Sequence, residues 1–401
     1  MRCILLGTLL LGLSADICRA EAPLVERYLH AGELARGEQV FQAALAANPQ
    51  DDEARLSLGL LQMFRGVERL GQGLYEYGCK TENNNIPFLR LPLPKNPDPT
   101  PITYAAFRRL LDGFRGDLAA AEATLAGMSS NDIKLPLRFG DIRFDLDGNL
   151  EPDETLKGVL KKLAGRVFRE PEGNSELLVC IDRGDVPWLR AYCHLLMSMV
   201  EFQLALDYEQ AFDVTTSDYF ANPKVRFHGK HTEQWKNLDD AMKVVVVREP
   251  ARWGRARRHL LAVCELNHET WRYIRAEKDD DHEWLPNAKQ TGVLGMPVTD
   301  EMIDAWLGMV DEFKGLLDGK TVIPPIVVQF LTAESGEQNG LSIKALLDDP
   351  PDRFDWEKVR REGVDRKYLV LKGKDVDVLK LLRVGQVFQN SLAVGYAMWF
   401  N

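Results

Sequence analysis

Along most of this chain, apolar residues return every three or four positions, the spacing of a helix with one buried face. Trp188, Tyr192, Leu195, Leu196, Met199 and Phe202 form a wide apolar stripe that predicts a helix over residues 186–208. Met302, Trp306, Met309, Val310, Phe313 and Leu317 form a second stripe, opened by Thr299 as a cap and closed by Gly319. Residues 104–126, rich in Ala, Leu and Arg, read as a third helix. Pro250 suits the first turn of a fourth, running toward Lys278. Strand-like runs are few: 177–181, 322–330 and 368–372. The expected fold class is mainly α, with few short strands.

The clearest punctuation is the stretch NNNIPFLRLPLPKNPDPTP, which puts six prolines into a short span. Proline cannot continue a helix interior, so residues 83–102 are expected to form an extended connector. It divides a helical N-terminal region, residues 21–82, from a mainly helical region over residues 103–401. In the first region Gly37, Phe41 and Ala44 follow a small–aromatic–small spacing, and Pro49 closes the unit. Leu58, Gly59 and Tyr75 repeat part of the pattern, with Arg55 where a bulky aromatic belongs. Residues 32–80 in this way resemble the tetratricopeptide repeat, a helix–turn–helix unit whose small residues let paired helices approach. About one and a half repeats are visible, and about three are needed to bury a continuous core. The resemblance implies a helical hairpin completed by further helices, and a protein or peptide partner.

The chain opens with Arg2, an apolar stretch over residues 3–13, and Cys18 and Ala20 at the two positions a signal peptidase reads. The apolar stretch falls short of the about 20 residues a bilayer span requires. Residues 1–20 are expected to be a cleavable signal peptide, and the protein to be exported, periplasmic or secreted. No later stretch is long enough without charges, so no membrane span is expected. The chain carries 50 basic and 60 acidic side chains, a net charge of −10. That balance repels nucleic acid, which is excluded as a partner. Cys79, Cys180, Cys193 and Cys264 lie beyond the signal segment, and in an oxidising compartment one disulfide is expected, its pairing open.

Three places could hold chemistry. The run FDLDGNLEPDE sets Gly148 at a sharp turn with Asp145, Asp147 and Glu154 around it. Glu151 falls where a water often bridges, and Leu150 where an apolar anchor belongs. Residues 143–154 resemble an EF-hand calcium loop, with Arg143 at the first ligand position and Asp141 the nearby acid able to substitute. The resemblance implies a structural calcium ion held by Asp145, Asp147, Glu151 and Glu154.

The second place is the helix that starts at Pro250. Its first turns hold Arg252, Arg255, Arg257 and Arg258, and its end holds Glu277, Asp279, Asp280, Asp281 and Glu283. Both clusters oppose the helix dipole, at about 0.3–1 kcal/mol per charge. Pairing with neighbouring helices is the expected explanation; an anion at the basic end and a cation or basic peptide at the acidic end are the functional ones. The third is the Cys193–His194 pair. Adjacent helical residues point about 100° apart, so a buried, inert thiol is expected there.

No HExxH, GxSxG or phosphate-cradling glycine loop occurs. The reading that follows is an exported, non-catalytic interaction or scaffold protein stabilised by calcium. The alternative is an envelope hydrolase with an acidic or metal-bound site near residues 277–283. Glu277, Asp279, Asp281, His282 and Glu283 would supply its groups, beside Arg257 or Arg258. A third reading is a calcium-stabilised binder of small anions or glycans at the basic helix start.

Overall fold

The computed structural model describes residues 22–81, 89–164, 176–331, 339–388 and 393–401. The expected signal peptide, and residues 83–88 of the expected connector, lie outside the described residues.

Helix α1 (Leu24–Ala31) leads into α2 (Leu34–Ala47) and α3 (Asp52–Glu76). Asp51 caps α3 by accepting the Ala54 amide at 2.9 Å. The helix then continues unbroken for 25 residues. Its glycines are points of close approach: a methyl group at Gly59 would come within 2.5 Å of the Leu125 side chain. That seam is made by α4 (Tyr104–Ala126), capped by Thr103. A short antiparallel pair follows, β1 (Lys134–Arg138), with the hairpin β2 (Arg143–Phe144) and β3 (Glu154–Thr155) between it and its partner strand. After α5 (Leu156–Ala164), β4 (Leu178–Asp182) returns to pair with β1, setting Lys134 opposite Asp182.

The apolar stripe over 186–208 becomes α6 (Asp185–Ala205). It is followed by β5 (Leu206–Asp207), α7 (Glu209–Tyr219), α8 (His231–Lys243) and β6 (Val244–Val247). The helix begun at Pro250 is α9 (Ala251–Ile274), shorter at its end than expected. The reason lies in Asn287, whose Nδ2 donates to the Ile274 carbonyl at 2.9 Å and closes the helix there. Helix α10 (Asp300–Asp318) has the expected boundaries: Thr299 accepts the Met302 amide at 3.2 Å, and Gly319 adopts φ +80°. The chain ends through α11 (Pro325–Leu331), β7 (Asn339–Leu341), α12 (Ile343–Asp348), β8 (Arg353–Asp355), α13 (Trp356–Glu362), β9 (Leu369–Leu371), α14 (Val378–Val387) and α15 (Ala393–Phe400).

The helices pack as a row of neighbours, α2 on α3, α3 on α4, α4 on α6, α6 on α9, α9 on α10 and α10 on α14. Antiparallel strands patch the row: β5, β6 and β8 form one small sheet, and β7 pairs with β9. One apolar core runs through it from Val25 to Phe400. Its far end is aromatic, with the Phe400 ring tilted against Trp271, centroids 4.5 Å apart, and beside Trp306 and Phe388. The mainly α class is as expected.

Two expectations are corrected. Residues 322–330 are not a strand. Val322 and Ile323 make single bridges only, and the Pro324–Pro325 step starts α11, proline being at home in a first helical turn. Nor is there a disulfide among the described cysteines. Cys79, Cys180, Cys193 and Cys264 are all free and buried on separate elements, each packed as a small apolar side chain.

A half-buried carboxylate site where two helices and a strand meet

Strand β4 delivers Asp182 to the start of α6, and the turn CIDRGD organises itself through its own carboxylates. The Gly184 amide donates to Asp182 at 2.7 Å, and the Asp182 amide donates to Asp185 at 3.2 Å. This reciprocal pairing fixes the turn between β4 and α6. The C-terminal end of α9 comes to the same place. Glu277 lies directly over Gly184, where a methyl group would meet its Oε1 at 2.7 Å. The backbone after Glu277 then runs beside β4, with the Cys180 amide donating to the His282 carbonyl at 3.1 Å. His282 adopts φ +63°, and this turn sends Glu283 inward to 4% exposure.

The acid-rich segment is tied down from the other side as well. The Val293 amide donates to the Glu283 carbonyl at 2.9 Å, and the Trp399 indole to the Trp284 carbonyl at 3.0 Å. Helix α15 so anchors the residue next to Glu283.

The result is a grouping of Asp182, Glu277 and Glu283 whose ligand-capable oxygens all lie within 4.8 Å of one another, with buried Asp185 behind them. Burial and mutual repulsion push every one of these acids up. Desolvation, then the charge of Asp182, takes Glu277 to about 8; desolvation takes Glu283 to about 7. Asp182 is raised by burial and by Asp279, and Asp185 is raised well above the usual range by burial and by Asp182. The donors facing them are neutral: the Gly184, Asp182 and Asp281 amides, and the Gln290 side chain at 3.3 Å from Glu277. Lys134 bridges to Asp279 and Asp281 instead, and those hydrogen bonds hold Asp279 below its usual range.

A hollow of about 330 Å³ opens beside the carboxylates, lined by Asn131, Lys134, Asp182, Arg183, Tyr273 and Glu277. Arg183 lies over the Tyr273 ring, 4.9 Å from its centroid, and donates to its hydroxyl at 3.3 Å. A larger hollow of about 800 Å³ lies between α10 and α14, where Arg383 pairs with Glu301 at 3.2 Å, but it gathers no comparable set of acids.

The residues singled out in the sequence are distributed differently. Glu277, Asp279, Asp281 and Glu283 do converge, on Asp182 and Lys134; His282 is half exposed at the turn. His194 lies elsewhere, beside Glu122. Three of the four α9 arginines meet carboxylates, as the pairing explanation requires, while Arg258 makes no ion pair among the described residues. Arg252 meets Glu201 at 3.0 Å and Glu249 at 2.7 Å, Arg255 meets Glu201 at 3.1 Å, and Arg257 meets Asp348 at 2.7 Å.

Asp145, Asp147, Glu151 and Glu154 surround a β2–β3 hairpin loop rather than a loop between two helices. Asp145 there accepts three backbone amides, from Gly148, Asn149 and Leu150, at 2.8, 3.1 and 3.1 Å. Asp147 accepts the Asn149 amide, Glu154 accepts the Thr155 amide, and Glu151 and Leu150 face solvent. Cys193 is fully buried, its thiol pushed up to about 12.

Asp182 and Asp185 were not apparent as site residues from sequence alone. The signal was an Asp-x-Gly-Asp turn closing a strand-like run immediately before a long apolar helix. Comparison with protein-family models, with curated proteins and with solved structures finds no match to this chain.

Proposed function

We propose that the protein is a divalent-cation-binding protein, with Asp182, Glu277 and Glu283 as the ion's ligands. The observation that carries this reading is the convergence of three carboxylates, from β4, the α9 end and the loop beyond it, where the direct hydrogen-bond donors among the described residues are backbone amides and the Gln290 side chain while Lys134 is held by Asp279 and Asp281. Carboxylates confined in this way need either protons or a cation to offset their charge. Oxygen-only ligands favour a hard ion such as Ca²⁺, Mg²⁺ or Mn²⁺. The hollow beside them supports a second reading on the same site, a metal-assisted hydrolase. Lys134, Arg183 and Tyr273 there offer positive charge and hydrogen-bond donors to an anionic group next to the ion. The interaction reading ranks below these because the small-residue seams of the N-terminal hairpin are filled by Leu125 and Leu146 of the chain itself.

Calorimetric titration of the full chain with Ca²⁺, Mg²⁺ and Mn²⁺ at pH 8 tests the reading. One ion should bind, and an excess of 100-fold over Kd should stabilise the fold by about 2.7 kcal/mol. Glu277→Gln and Glu283→Gln should each weaken binding at least tenfold, while Asp147→Asn should not. Binding lost in Asp147→Asn but kept in the Glu variants would assign the ion to the hairpin loop and overturn this reading.

A further inference from the structure

A second cluster of titratable groups lies away from the carboxylate site, where α4, α6 and α9 meet. His194 on α6 and His259 on α9 face each other with Nδ1 atoms 2.9 Å apart and ring centroids 5.1 Å apart. On its other nitrogen, His194 approaches Glu122 of α4 at 3.4 Å. Glu122 is itself gripped by Arg190 at 2.9 and 3.0 Å, and the His194 hydrogen bond, then Arg190, hold its carboxyl at about 2. The acceptor at the head of this row is therefore ionised throughout the working pH range. We propose that the His194–His259 pair is an acid-sensitive latch across the α6–α9 seam, closed while the pair carries at most one added proton and forced apart by a second.

Counting donors gives the reason. With both rings neutral, His259 Nδ1–H donates to His194 Nδ1, and His194 Nε2–H donates to Glu122. One added proton leaves the row intact. His194 then carries both N–H groups, donating to Glu122 from Nε2 and to the bare Nδ1 of His259. A second proton puts N–H on both facing Nδ1 atoms. The hydrogen bond has no acceptor, and two cations face each other at contact distance.

The surroundings favour refusal of that second proton. Burial first, then His194, and then Arg115 of α4 and Arg258 of α9 pull His259 down to about 4, with Glu201 of α6 opposing them. On the other helices packed on α9 charged groups are paired elsewhere: in α10, Glu301 with Arg383, Asp304 with Arg275, Asp311 with His268, Glu312 with Lys380 and Lys314 with Glu265; in α12, Lys344 with Asp348 and Asp348 with Arg257. The seam that would open is the most extensive helix–helix contact among the described residues.

The sign follows from linkage. The unfolded chain takes up the His259 proton below about 6.5, and the folded chain resists it until about 4. Stability from this pair is complete above 6.5 and is lost as the pH falls from 6.5 to 4. Solvent reaching the half-buried ring reduces the ideal effect, leaving a loss of about tenfold to a hundredfold in the folding constant.

The test is denaturant unfolding of the full chain between pH 7.5 and 4.5, for wild type and His259→Gln. The wild type should lose at least tenfold more in folding constant than the variant over that range; parallel profiles would overturn the latch. Should the variant not fold, NMR of wild type with labelled histidine decides. One ring of the pair titrating below pH 5 supports the proposal, and both titrating independently near 6.5 refutes it.

Discussion

Replacing Glu201 by Gln keeps its shape and removes one charge from the middle of the fold. Glu201 is 1% exposed and faces Arg252 at 3.0 Å, Arg255 at 3.1 Å and Arg115 at 3.6 Å. These are two of the arginines that oppose the α9 dipole, joined by one from α4. Removing one member of a buried ion cluster costs about 3–5 kcal/mol, because the partners remain desolvated without compensation. Two features place this case at the lower end. Arg252 keeps Glu249 at 2.7 Å, and Arg255 and Arg115 are about a third exposed, so water can replace part of what is lost.

The expected loss is about 3 kcal/mol. For 401 residues at about 2.1 cal/mol/K each, the unfolding entropy is about 0.8 kcal/mol/K, and Tm should fall by about 4 °C. The assay is urea unfolding with a calorimetric melt, at low and at high salt. Glu301→Gln, which breaks an exposed pair with Arg383, is the control and should change stability by less than about 0.5 kcal/mol. A Glu201→Gln loss below about 1 kcal/mol, or one that salt erases, refutes the account of the α9 charges as a buried network.

Two further outcomes follow from packing. Gly59→Ala should destabilise by about 1–3 kcal/mol in urea melts despite the better helix propensity of Ala, since the new methyl meets Leu125 at 2.5 Å; unchanged stability would show slack in the α3–α4 seam. Cys79, Cys180, Cys193 and Cys264, all pushed up to about 12 by burial, should resist a thiol reagent at pH 7.5 until the chain is denatured, and rapid labelling of their peptides in native protein would contradict that burial.

The sequence by itself determined the features that depend on neighbours a few residues apart. The stripe from Met302 to Leu317 between Thr299 and Gly319 specified α10 to its caps, because stripe, cap and left-handed stop all lie within one helix length. Helix α4 was legible from its local richness in Ala, Leu and Arg, and the inert burial of Cys193 from the divergence of neighbouring helical side chains. Where two local signals competed, the nearer constraint won: the Pro324–Pro325 step overrode an apolar run that read as a strand.

Only the tertiary structure decided the two sites. Nothing local to Glu277 or Glu283 announces Asp182, roughly a hundred residues earlier, and the grouping exists because β4 and the α9 end are brought to the same corner, with Gly184 leaving room for Glu277. The Glu122–His194–His259 row likewise draws one residue from each of three helices. Even the reversed charges of α9, visible in the sequence, had no distant partner until Glu201 and Asp348 were placed beside them. Periodicity encodes which face of a helix is buried. The partner of a buried charge is set by how the helices pack, and that packing is a property of the whole core.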